Sequence, residues 1–245
     1  MALQWQSAFI PVCPLRTEAW FVKIISVSKL SIVARTLAIP AVITGIVFVS
    51  AGTFVLPFVW AIAIIMAAFY LLLAACTDAG LWRERAKPGP GNQDRLTRPI
   101  GGVLMISHWV FAGLDVGRFQ WSPVPWQLQA AGVAGFAAAL AVNFWAMRVN
   151  RFYSSVVRVQ ADRGQQTIVD GPYRFVRHPG YTATLFAMFS GGMALGSWMA
   201  MIPVLVFAAL FIRRTLLEDR MLQQELPGYA EYALSVRYRL VPGIF

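Results

Sequence analysis

Between Gln166 and Tyr181 the chain reads Gln-Thr-Ile-Val-Asp-Gly-Pro-Tyr-Arg-Phe-Val-Arg-His-Pro-Gly-Tyr. Three basic side chains, Arg174, Arg177 and His178, stand among two phenols, Tyr173 and Tyr181, between a Gly171-Pro172 turn and Pro179-Gly180. Glycine supplies unusual backbone angles, and proline fixes φ and removes a donor, so such a loop is shaped rather than floppy. A rigid, cationic, aromatic loop that opens straight into an apolar helix suits an anionic, ring-bearing ligand at a membrane surface. On composition alone, a basic loop that only sets topology fits equally well.

A second cluster follows in the tail, Arg213-Arg214-Thr-Leu-Leu-Glu218-Asp219. Arg214 and Glu218 are four apart, so on a helix both project from one face. An ordinary intrahelical ion pair is the commoner explanation of such spacing.

The elements that must position these groups are apolar. Hydrophobic residues make up 58% of the 245 and charged residues only 13%, against about a quarter charged in globular chains. The chain reads as an integral membrane protein. The net charge of +10 does not point to nucleic acid, because the cations sit between apolar runs instead of on one soluble face. Cys13 and Cys76 indicate neither a disulfide framework nor a metal site. No basic segment precedes an apolar one at the N-terminus, where Pro11 and Pro14 interrupt, so a cleaved secretory leader is not expected.

Residues 1–35 mix Trp5, Phe9, Trp20 and Phe21 with Arg16, Lys23, Lys29 and Arg35, the pattern of an interfacial amphipathic segment. Four crossings are expected within 36–147, at about Thr36–Ala51, Phe54–Cys76, Ile100–Val116 and Pro125–Met147. A polar, turn-rich loop over 77–99 separates the second from the third. His108 lies mid-span, where an interhelical hydrogen bond is expected; Asp115 is near an end, within reach of water. Gly132 and Gly135 allow close helix packing. The apolar stretch from Tyr181 to Ile212, as one helix, would run roughly 48 Å, too long for one crossing, so it reads as a helical hairpin.

Charge supports this arrangement. With six crossings, 20 of the 21 Lys and Arg residues fall on one face and only Arg118 on the other, and the richer face is the cytoplasmic one by the positive-inside rule. The central loop, the N-terminus and the tail then share a compartment, where one site can be built from loop and tail. The expected fold is an all-α polytopic membrane bundle of about six helices, with 148–245 as its catalytic region.

The ordered set Gly171-Pro-Tyr-Arg-Phe-Val-Arg-His-Pro-Gly-Tyr181, a short hairpin, Arg214-x-x-x-Glu218-Asp219-x-x-Leu222, Pro227-Gly-Tyr-x-x-Tyr232 and Arg237-Tyr-Arg-Leu-Val-Pro242 resembles the isoprenylcysteine carboxyl methyltransferase and phospholipid methyltransferase group. The likeness covers roughly residues 143–245. It implies an S-adenosyl-L-methionine site closed between loop and tail. By position, the cofactor contacts carry over to Gln160, Gln166, Thr167, Ile168, Val169, Tyr173, His178, Pro179, Gly180, Tyr181 and Glu218, and the substrate-facing catalytic arginine to Arg214. The chain departs from the group where Gln166 replaces a frequent histidine and Leu226-Pro227 replaces Phe-Gly.

The resemblance implies methyl transfer to a lipophilic or prenylated acceptor that enters from the bilayer among membrane lipids. An ionised carboxylate acceptor needs no general base, and the sequence offers no clear base for an amine or thiol. Phospholipid amine or thiol methylation is the alternative within the group. A sterol-type NADPH reductase, whose C-terminal pattern is similar to Tyr238-Arg-Leu-Val-Pro242, and a non-enzymatic membrane protein are the readings outside it.

Overall fold

The computed structural model describes residues 27–77 and 79–245. Most of the expected interfacial segment, residues 1–26, therefore lies outside the described residues. Eight α-helices follow: α1 Val27–Ala51, α2 Pro57–Cys76, α3 Ala79–Ala86, α4 Thr97–Leu114, α5 Trp126–Val149, α6 Pro179–Ala194, α7 Met201–Glu225 and α8 Tyr229–Ser235. A π-helical turn, Asp115–Phe119, extends α4, and two 3-10 turns, Ala161–Arg163 and Gly171–Arg174, punctuate the central loop.

The helices form where apolar runs are long and turn residues bound them. Pro57 opens α2 at its first position, where the missing N–H costs no helical hydrogen bond. Along α2 the inward residues Val59, Ile62, Met66 and Leu73 recur at helical spacing, while Ile64 and Leu72 stay exposed on the outer face. In a bilayer that outer face meets lipid. Among the described residues three helical segments are long and apolar enough to span, Pro57–Cys76, Thr97–Phe119 and Trp126–Val149, and Thr36–Ala51 is a shorter apolar stretch. The hairpin expected after Tyr181 is present as α6 and α7. The longer α7 carries Arg213, Arg214, Glu218 and Asp219 in its second half.

The pair α5 and α6 is the most intimate in the bundle. A Cβ on Gly132 would lie 2.5 Å from the Ala194 nitrogen, so only glycine lets the two backbones come this close. Around them Phe48, Ile62, Trp109, Phe136 and Leu195 build the main apolar core.

Three local expectations are corrected. The first helix starts at Val27, well before Thr36, because Arg35 marks a charge boundary and arginine does not stop a helix. The 77–99 segment is not all loop: α3 forms there, with Leu81 buried beneath it. Asp115 does not reach water. It is fully buried and accepts hydrogen bonds from the Ser122 amide at 2.9 Å, the Ser122 hydroxyl and the Ser197 hydroxyl at 2.6 Å.

Those bonds tie the turn after α4 to the hairpin turn at one end of the bundle. The 77–99 segment, the central loop and the tail gather at the other end. His108 behaves as its mid-span place predicts, with Nδ1 2.9 Å from the Ala200 carbonyl.

Candidate active site between the central loop and the tail

The central loop leaves α5 at Asn150 and must be held without regular structure. Its main anchor is Arg158, which donates from Nε at 3.0 Å and from Nη2 at 2.8 Å to the two oxygens of Glu84 on α3. Both side chains are almost sealed from water. The Arg158 hydrogen bond holds the Glu84 carboxyl below the usual carboxylate range, against the opposing effect of burial. Gln160, only 1% exposed, completes the frame. Its Nε2 donates to the Phe152 carbonyl at 2.6 Å and its backbone N–H to Gln165 Oε1 at 2.6 Å.

The tail is bound to the loop through Asp219. Arg177 donates to its two oxygens at 2.7 and 2.9 Å, Arg239 at 2.8 Å and the Tyr229 hydroxyl at 3.1 Å. His178 Nε2 is 3.4 Å away. Burial works to raise the Asp219 carboxyl, but the hydrogen bonds of His178 and Arg177 outweigh it and hold the group well below the usual range. Backbone bonds complete the junction, from Arg177 N–H to the Tyr238 carbonyl at 3.0 Å and from His178 N–H to the Arg239 carbonyl at 2.9 Å. The basic motif of the loop and the Arg-Tyr-Arg of the tail thus meet.

A cleft opens between the two segments, and nine of the eleven positions expected to hold a cofactor line it: Gln160, Gln166, Thr167, Ile168, Tyr173, His178, Gly180, Tyr181 and Glu218. The other two do not. Val169 is exposed. Pro179 is spent as the first residue of α6. Thr167 clips the outer lip, its hydroxyl donating to the Pro227 carbonyl at 2.9 Å. Tyr173 accepts from Asn150 Nδ2 at 3.0 Å, and burial pushes its hydroxyl well above the usual phenol range.

Arg214 and Glu218 do not form the simple pair their spacing allows, because the Tyr181 hydroxyl stands between them. It accepts from Arg214 Nε at 2.7 Å and donates to Glu218. Arg214 also donates from Nη2 to the Ser155 carbonyl at 3.2 Å, while its Nη1 lies 3.8 Å from Asp94 Oδ2. Glu218 faces the loop-tail cleft. Arg214 instead faces a separate cavity of about 280 Å³ toward α4, walled by Phe207 and Phe211. Tyr181 lines both.

Sequence reasoning missed several members of this site. Asn150, Arg158, Tyr229 and Tyr232 all line the cleft, and Tyr229 and Tyr232 lay inside a quoted motif without a role. Tyr153 gave no signal, yet it lies on the wall of the cleft, of the Arg214 cavity and of a third cavity inside the bundle. Its ring presses so closely on α6 that a Cβ on Gly180 would meet the Tyr153 hydroxyl at 2.2 Å. Among the described residues no group of three or more His, Cys, Asp or Glu is placed to hold a metal ion.

An all-helical membrane bundle with a polar cleft closed by its C-terminal tail defines the class, and the comparisons agree with it. Residues 128–227 match the family model described as phospholipid methyltransferase. The fold is similar to that of a solved eukaryotic intramembrane Ras methyltransferase, isoprenylcysteine carboxyl methyltransferase, at a TM-score of 0.54 and 14% identity, over 92% of this chain and 89% of that one. The family match covers 128–227, the region of most of α5, the central loop, α6 and α7, and the likeness to the solved structure is one of fold over nearly the whole chain. The chain is also 26% identical to the cobalt-zinc-cadmium resistance protein CzcN of Cupriavidus metallidurans over 140 residues, which spans 55% of this chain and 59% of that protein.

Proposed function

We propose that this chain is an integral membrane methyltransferase that uses S-adenosyl-L-methionine to methylate an oxyanion, a carboxylate of the isoprenylcysteine type, on a lipophilic acceptor. The observation that carries this reading is the chain of hydrogen bonds Arg214–Tyr181–Glu218, which joins a polar cleft outside the bundle to a cavity within it.

The donor set of the cleft fits the cofactor. Glu218 offers a carboxylate to an amino group or ribose, His178 and Gln166 offer polar contacts for a carboxylate, and Tyr173, Tyr229 and Tyr232 offer ring faces. The cleft itself holds only about 80 Å³, room for a few waters. Entry of a larger ligand then requires the cleft, closed at its outer lip by the Thr167–Pro227 bond, to widen.

When bound, the cofactor supplies an electrophilic methyl group on a sulfonium. The protein supplies alignment and a dry site for an in-line displacement. Arg214 orients the acceptor oxyanion. Its Nε and Nη2 are committed to Tyr181 and Ser155, which leaves Nη1 as the arm without a short hydrogen bond. Tyr153 and Tyr181 form the wall between the two sites, and no general base is called for because the acceptor is already ionised.

The acceptor reaches Arg214 sideways through the bundle, where Ile39 of α1 and Met105 of α4 are exposed at the rim of an apolar cavity. Residues 148–245 form the catalytic region. The site faces the cytoplasm, the side to which the clustered cations assign the loops and the tail.

The direct test is equilibrium binding of S-adenosylmethionine to the purified protein, with NADPH as competitor and Glu218→Ala as control. Saturable binding that NADPH does not displace and that the variant loses is expected. A folded protein that binds NADPH and not S-adenosylmethionine would overturn the reading.

A further inference from the structure

A cavity of about 470 Å³ lies among α1, α2, α4, α5 and α6. That size is within the range of ligand sites, about 300–1,000 Å³. Ile43, Phe69, Leu73, Trp109 and Leu140 give it an apolar interior. One cation lines it, Arg85 of α3.

Arg85 is also on the wall of the Arg214 cavity, and the two cavities have Met105, Tyr153 and Thr184 in common as well. The two cavities adjoin at these residues, the larger one apolar deep in the bundle and the other cationic. Among the described residues the Arg214 compartment is lined by Arg85, Arg98 and Arg214 and by no carboxylate.

The state of Arg85 sets it apart from its neighbours. Arg158, Arg177, Arg213 and Arg239 are each committed to a carboxylate. The Arg85 guanidinium, half-buried, stands 5.4 Å over the Tyr153 ring, and among the described residues it has neither a carboxylate partner nor a hydrogen-bond acceptor. A guanidinium held partly out of water against an aromatic wall, with no counter-charge, favours an incoming anion. Arg85 also lies outside residues 128–227, the segment that matches the methyltransferase family.

We propose that Arg85 is a second anion-binding residue of the acceptor site. With Arg214 it holds the anionic head of a single-chain amphiphile whose hydrocarbon chain fills the larger compartment. Tyr153 separates that head from the loop-tail cleft and carries the Arg85 charge on the face of its ring. The inference rests on the acceptor reading of Arg214 but requires neither the methyl donor nor turnover to be tested.

The test is binding of hexadecanoate and of hexadecanol to the full chain in lipid nanodiscs, at alkaline pH where the acid is ionised and with no methyl donor present. The two probes share a chain and differ in charge. The wild type is expected to bind the acid about tenfold or more tightly than the alcohol, as a charge-assisted hydrogen bond implies. Arg85→Met is expected to cut that preference several-fold, leaving the share due to Arg214, with the alcohol unchanged, and Arg85→Lys to restore part of it. An acid affinity unaltered in Arg85→Met, or an equal loss for both probes, would overturn the proposal. S-adenosylmethionine binding in the same samples separates the two readings: its absence from a wild type that still prefers the acid would sink the donor assignment and leave the Arg85 site standing.

Discussion

The two halves of this chain bury polar groups in opposite ways. In α1 to α5 they are few, and some stay without a partner: His108 Nε2 and the Trp109 indole nitrogen are buried with none. In the loop and tail they are many and mutually committed, with Asp219 alone accepting from two arginines and a tyrosine. The first half gains its cohesion from apolar packing and can leave a large cavity. The second half gains it from charge pairing and holds side chains to within hydrogen-bond tolerance. A binding chamber suits the first kind of construction, and a site that must align two reactants suits the second.

The comparison is sharpest at the contact between halves, so the largest effects are expected there. Arg214→Ala should cut methyl transfer by about 10²-fold or more, measured as incorporation of labelled methyl into a lipophilic carboxylate. Preserved turnover would place the chemistry entirely in the loop-tail cleft. Tyr181→Phe should lower both cofactor affinity and turnover, by about tenfold each, because its hydroxyl is bonded to Glu218 and to Arg214.

Next comes the junction of loop and tail. Asp219→Asn should destabilise the region by about 3 kcal/mol or more, since Arg177 is left buried without its counter-ion. The same group sets a pH dependence. The folded pKa of Asp219 lies below the unfolded value, near 3.9, so its stabilisation is full at neutral pH and is lost as pH falls from about 4 through the folded pKa. Thermal unfolding across that acid range should show a falling midpoint in the wild type and a flatter one in Asp219→Asn. The smallest effect is expected at Val169, which is exposed outside the cleft. Val169→Ala should leave cofactor affinity within about twofold, and a larger loss would mean that the lip folds inward on binding.

Much of this was legible in the sequence because the residues concerned are close together. The loop motif, the hairpin and the tail motif each lie within a few turns of chain, the distribution of cations put loop and tail in one compartment, and the family likeness implied a site closed between them. Asp219 was legible as a residue but not as a hub. It follows Glu218 directly, and consecutive helix positions point about 100° apart, so one carboxylate faces the cleft and the other faces Arg177. Spacing gives the angle but not which neighbour lies on each side.

Arg85, Glu84 and Tyr153 could not be read at all. Glu84 meets Arg158 across 74 residues, and such contacts are set by how α3 folds back beneath the central loop. Asp115 misled for a related reason: its place near a helix end suggested water, and two serines from separate turns close over it instead.

The central claim is that donor and acceptor sites are distinct and joined at Tyr181. The measurement that tests it most directly is S-adenosylmethionine affinity in the wild type, Arg214→Ala and Glu218→Ala, each in the preparation used for turnover. The account predicts affinity within about twofold of wild type for Arg214→Ala and a loss of about tenfold or more for Glu218→Ala. Equal losses in the two variants would mean that both residues serve one ligand, and that the division between cleft and chamber is wrong.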